Sequence, residues 1–174
     1  MLRRLGVLLA IAAAPLAAQS APANPNVTNA RILWQQVNDY ISQAAADVPE
    51  ATYAYRPTPE VRTFGEILGH VAGSEKMYCA LALGEKPPAE DAVEKSAKTK
   101  AALVAALKEA STYCARAYQQ TDNVASGMVD VFGRQRSRLF TLLSNVTHDN
   151  EHYGNIVTYM RLNKMVPPSS RPSR

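Results

Sequence analysis

The stretch SRLFTLLSNVTHDNEHYGNIVTYMRLN, residues 137–163, reads as one long helix. Leu139, Leu142, Leu143, Val146, Ile156, Tyr159 and Met160 recur at steps of three and four, the period at which an α-helix turns one face to a core. Inside it stand His148 and His152, four residues apart. A four-residue step turns a helix by about 400°, so the two imidazoles project from one face, one turn apart. Both can then reach a single ion at metal–nitrogen distances of about 2.0–2.1 Å. The zincin pattern His-Glu-x-x-His fits poorly, because Asp149 follows the first histidine and Glu151 lies about 100° around the helix from His152. A carboxylate placed there is badly aimed to act as base on a shared water.

Three more helices precede this one. Thr28 caps a first, about Thr28 to Ala46, whose apolar positions are Ile32, Leu33, Val37, Tyr40 and Ile41, with Pro49 beyond its end. Glu50 to Arg62 holds Pro57 and Pro59 and reads as a loop packed by Tyr53 and Tyr55. Thr63 and Glu66 form a capping box for a second helix with the stripe Phe64, Ile67, Leu68, Val71, Met77 and Leu81, ended by Gly84 and Pro87-Pro88. Glu85 to Lys98 is polar, with room for one helical turn around Glu90 to Lys95. A third helix follows from about Lys98 to Gln120, with Leu103, Leu107, Ala110, Cys114 and Ala117 or Tyr118 inward. Asp122 to Arg136, with Gly127, Gly133 and a short apolar patch at Met128 to Phe132, reads as a second long connection. Four helices without a convincing strand predict an all-α four-helix bundle with two long connections. The polar link before the third helix is long enough to return the chain along the bundle, which allows the second and third helices to run parallel.

The remaining histidine, His70, sits beside Ile67, Leu68 and Val71 on the core side of the second helix. Alone it would read as a hydrogen-bonded core residue; with a pair waiting on another helix, the ligand reading is favoured. Bundle interiors are where facing helices supply ligands, and three protein nitrogens leave coordination positions open.

The chain begins Met1-Leu-Arg3-Arg4, followed by an apolar run from Leu5 to Leu16 and small residues suited to signal peptidase. Residues 1–20 therefore read as a signal peptide, cleaved between Ala18 and Ala23, and residues 21–27 as a disordered leader. The run falls short of the ~20 residues a spanning helix needs, and no cysteine at the boundary offers a site for lipid attachment. The expected protein is exported, periplasmic or extracellular, and free of the membrane after cleavage. Loss of Arg3 and Arg4 takes the formal charge from +4 to +2, and the remaining charges are mixed, so no nucleic-acid footprint is expected. The mature length of about 155 residues suits one domain. Residues 169–174 read as a frayed tail.

Thr63-Phe-Gly-Glu-Ile-Leu-Gly-His70, His148-Asp-Asn-Glu-His-Tyr-Gly-Asn155, the ending Met165-Val-Pro-Pro-Ser169 and Tyr55-Arg-Pro-Thr-Pro59 together resemble the DinB/YfiT-like family. This is the damage-inducible bacterial family of four-helix proteins, not the DNA polymerase sometimes given the same name. The resemblance implies a DinB-like bundle over residues 28–168 in up-down-down-up order, with His70, His148 and His152 as the three ligands of one divalent metal cation. Zinc or nickel leads the expectation, with iron or manganese as alternatives, since imidazole suits them all. Some relatives are thiol transferases, so the expected function is a small metalloenzyme, hydrolase or thiol-transferase-like, acting on an unidentified small molecule; a homodimer is open. The alternative is a non-catalytic metal-binding or structural module of the cell envelope. Second-sphere candidates are Asn145, Asn155 and Tyr159. No catalytic residue can be named.

The resemblance also bears on Cys79 and Cys114, the only two cysteines. Two buried free thiols are one reading, a bridge in an oxidising compartment the other. Parallel second and third helices would put both cysteines at one end of the bundle, within disulfide reach; antiparallel ones would hold them about 24 Å apart. A Cys79–Cys114 disulfide is accordingly expected.

Overall fold

The computed structural model describes residues 23–172, and the expected signal peptide lies outside them. Among the described residues the fold is mostly helical. It comprises α1 (Pro25–Asp47), a 3₁₀ turn (Glu50–Ala54), α2 (Phe64–Leu83), α3 (Ala92–Ser96), α4 (Lys100–Ala117) and α5 (Asp122–Ala125). A β1 (Met128–Val131) and β2 (Arg134–Ser137) hairpin, α6 (Arg138–Leu162) and a 3₁₀ turn (Pro168–Ser170) complete it. None of its helices is long and apolar enough to cross a membrane.

The four expected helices correspond to α1, α2, α4 and α6, with corrections at their ends. α1 starts at Pro25 rather than Thr28, so Pro25, Asn26 and Val27 leave the expected leader. Its first amides are satisfied from far along the chain: Asp122 accepts from the backbone N–H of Asn26 at 3.1 Å and of Val27 at 2.9 Å. A cap supplied 95 residues away leaves no local signal. The buried face is also rotated from the expected one, since Ile32 and Leu33 are exposed while Val27, Trp34, Val37 and Ile41 are buried. Leu143 of α6 is exposed too.

The absence of a strand was a wrong expectation. Met128–Val131 pairs antiparallel with Arg134–Ser137, and the two turn residues, Phe132 (φ 53°) and Gly133 (φ 78°), both lie in the left-handed region. That is the turn an Asn-Gly pair announces, and a phenylalanine in the first place conceals it. The expected tail is ordered at its start: Ser169 N–H donates to the Tyr153 hydroxyl at 3.0 Å, and Arg171 pairs with Asp47 at 2.6 Å.

α2 is buried on nearly every side. Its Thr63–Glu66 capping box forms as expected, and Gly84, at φ 75°, ends it. On one flank Gly65 and Gly69 meet Leu103, while Gly69 and Gly73 meet the backbone of Glu94 and Glu90, so the polar link lies directly against the helix. Beside α4, Lys76 pairs with Glu109 at 2.7 Å and Gln120 donates to the Ala82 carbonyl at 3.1 Å. Between those contacts Cys79 and Cys114 are joined in a disulfide, Cα atoms 5.3 Å apart.

The core has two large apolar halves and a small third cluster of Met77, Leu81 and Val131 under the hairpin. One half gathers Val37, Ile41, Phe64, Leu68, Leu107 and Ile156; the other gathers Val27, Trp34, the two cysteines, Tyr118 and Leu142. Along α2 and α6 a buried polar layer separates them, made of Ser74, Glu75, Asn145, Asp149 and the rings of His70 and His152.

Candidate metal centre

α2 contributes His70 to this layer and α6 contributes His152, with the half-buried His148 beside them one turn earlier on α6. One ring nitrogen from each lies within 4.8 Å of the other two. The Nε2 atoms of His70 and His148 are 3.1 Å apart, and those of His148 and His152 are 3.2 Å apart. A tetrahedral ion with bonds of about 2.0–2.1 Å would hold its ligand atoms roughly 3.3–3.4 Å apart, so these separations fit a shared cation.

Protonation also fits. Burial, then the charge of Arg62 and the neighbouring rings, pushes His70 down to about 4. Burial, then His148, pushes His152 down to about 4. Burial lowers His148 as well, against the pull of Glu90 and Glu151. All three imidazoles are therefore neutral near pH 7, each with one lone pair to give. Ser74 fixes which nitrogen of His148 has it. The Ser74 hydroxyl donates to the His70 carbonyl at 2.7 Å, so its oxygen is left to accept from His148 Nδ1–H at 3.3 Å. His148 Nε2 then turns an unprotonated lone pair toward the other two rings.

The other Nδ1 atoms have neighbours of their own. Glu94 Oε2 lies 3.6 Å from His70 Nδ1, beyond a hydrogen bond, and the same carboxylate is held at 3.0 Å by Arg62 Nε. Asn155 Nδ2 is 3.5 Å from His152 Nδ1. Glu90 Oε1 lies 3.8 Å from His70 Nε2 and 3.9 Å from His148 Nε2. Sequence reasoning passed over Ser74, Glu90 and Glu94; the one local sign of the last two is the glycine pair Gly69 and Gly73, which admits their backbone. Of the expected outer residues, Asn155 borders a ring, Tyr159 donates to the Arg62 carbonyl at 2.7 Å, and Asn145 lies deeper, donating to the Tyr118 hydroxyl at 3.2 Å.

Behind the rings, Glu75 accepts from Trp34 Nε1 at 2.7 Å, and Trp34 stacks on Tyr118 with ring centroids 4.5 Å apart. Glu75 Oε2 and Asp149 Oδ1 have no hydrogen-bond partner. Burial, and for Glu75 also the charge of Asp149, raises both carboxyls well above the usual range. In front, a cleft of ≈ 560 Å³ lined by Thr58, Arg62, Ile67, Asn155 and Tyr159 reaches His152. The disulfide occupies both cysteines, so neither offers a thiol to the site.

Comparison with known proteins places this arrangement. No curated protein sequence is significantly similar to the chain. Among solved structures, a DinB-like protein of Bacillus cereus superposes with a TM-score of 0.69 at 17% identity, over 81% of this chain and 95% of the other. A mycothiol-dependent maleylpyruvate isomerase gives 0.63 at 18% identity, over 77% of this chain and 65% of that one. A DinB-like protein of Bacillus subtilis gives 0.56 at 17% identity, over 86% and 100%. A family model described as the DinB superfamily matches residues 33–156, a span that contains all three histidines, and the chain belongs to that superfamily.

Proposed function

We propose that this is an exported DinB-superfamily protein that holds one divalent cation, zinc or nickel, with His70, His148 and His152, and uses it as a small metalloenzyme. The observation that carries the reading is the convergence of three imidazoles, with Nε2 atoms 3.1 and 3.2 Å apart, beside an open cleft. A divalent ion bound there would supply Lewis acidity toward a small molecule entering past His152. The protein's own share is to keep the rings neutral by burial and to fix the His148 tautomer through Ser74. The reaction is hydrolytic or thiol-transferring; the mycothiol dependence of one structural relative supports the second class. The proposed architecture is a four-helix bundle in up-down-down-up order with two long connections. Contacts between the matching ends of α2 and α4 support it. Export is supported by the arginine pair ahead of an apolar run and by a disulfide of the kind that persists in oxidising compartments.

A second reading, a non-catalytic site that stores the ion or uses it structurally, is favoured by the Glu90 carboxylate standing near two of the rings. Elemental analysis of the full-length protein purified without added metal tests the shared premise. About one equivalent of metal is expected in the wild type after dialysis, and little in His148→Ala or His152→Ala, while Asp149→Ala stays within a few-fold. Equal metal content in wild type and both histidine variants would refute the site.

A further inference from the structure

Resting on the three-histidine reading, we infer that Glu90 is a fourth protein donor of the site, a carboxylate arm that the link between α2 and α4 places beside the ring nitrogens of His70 and His148. The placement is built into the backbone. A β-carbon on Gly73 would collide with the Glu90 carbonyl, and one on Gly69 would come within 2.8 Å of Glu94 Cα. These glycines are one helical turn apart on α2, and Glu90 and Glu94 are one turn's spacing apart in the link, so two notches receive two acidic residues. The result is specific at the side-chain level. Glu94 faces the Nδ1 side of His70, whereas Glu90 Oε1 faces the Nε2 side, nearly equidistant from His70 and His148 at 3.8 and 3.9 Å.

Its chemistry suits the role. Three neutral imidazoles leave a divalent ion with its full double charge, and one carboxylate oxygen halves it without any further proton. The distances exceed the roughly 3.3–3.4 Å between ligands of a tetrahedral ion by about half an ångström. Rotation of an unburied side chain covers that gap, and the Glu90 side chain is 43% exposed. The same exposure makes it a donor that an incoming ligand can displace, which joins a closed resting site to an open reacting one.

Zinc affinity by chelator competition and the visible spectrum of the cobalt-substituted protein test this on wild type, Glu90→Gln and His148→Ala. Glu90→Gln is expected to bind zinc about tenfold or more weakly and to change the intensity of the cobalt bands, because one oxygen leaves the coordination shell. Zinc affinity within twofold of wild type, or weaker binding with a superimposable cobalt spectrum, overturns the donor role. His148→Ala separates the two readings. If it loses zinc while Glu90→Gln matches wild type, only the Glu90 inference falls; if the wild type itself binds no zinc, the histidine site falls and Glu90 with it.

Discussion

Neutral imidazoles tie the stability of the metal-free protein to pH. An unfolded histidine titrates near 6.5, whereas burial pushes His70 and His152 down to about 4 in the folded chain. As pH falls the unfolded state takes up protons first, so stability that is complete above 6.5 is lost progressively as pH falls through about 4. Metal-free wild type is therefore expected to lose more melting temperature between pH 7 and pH 4.5 than metal-free His152→Gln, which has one such group fewer. Parallel curves for the two proteins would count against a neutral His152. At this scale the histidines were legible because a four-residue step on a helix is a local statement about direction. Glu90, Glu94 and Ser74 were not, because what selects them is proximity across elements. Trp34 shows the same limit: its stacking on Tyr118 and its bond to Glu75 come from the residue that ends α4 and from α2.

The helices were read well where their signals are local and poorly where they are not. The Thr63–Glu66 box and Gly84 bound α2 as its sequence announces. The start of α1 depends instead on Asp122, and the hairpin hides behind a phenylalanine with φ 53°. The glycines of α2 carry a prediction at this scale. In an ordinary exposed helix Gly→Ala is stabilising by helix propensity, by up to about 1 kcal/mol. At Gly73 the new methyl would meet the Glu90 carbonyl, and backbone rather than a flexible side chain must move. Gly73→Ala is expected to destabilise by about 1–3 kcal/mol in urea unfolding. Gly154→Ala, on α6 where an added β-carbon meets nothing, supplies the contrast and is expected to be neutral or stabilising. Equal effects at the two positions would mean that the link does not press on α2.

Across the whole molecule, α2 is where the ties converge. The disulfide joins it to α4, and the histidine cluster faces it to α6. The bridge spans 35 residues of chain, which on the chain-entropy model corresponds to about 3–4 kcal/mol of stabilisation. Reduction is therefore expected to lower the melting temperature by roughly 6–16 °C, at about 2–4 °C per kcal/mol for a chain of this size. An unchanged melting temperature after complete reduction, verified by thiol titration, would contradict it. The polar layer between the two halves of the core was not legible, since Glu75 and Asp149 look in sequence like ordinary surface acids. α1 stands apart from these ties: it supplies no residue to the disulfide or to the histidine cluster, and side-chain packing, the Trp34–Glu75 hydrogen bond, the Arg171–Asp47 ion pair and the Asp122 cap hold it in place. Its detachment is therefore the predicted first large-scale opening of the fold, a sub-global excursion in which α2, α4 and α6 stay fastened. Because α1 carries the chain's single tryptophan, hydrogen exchange along α1 and the emission of Trp34 should report that excursion before helical circular dichroism records the loss of the rest.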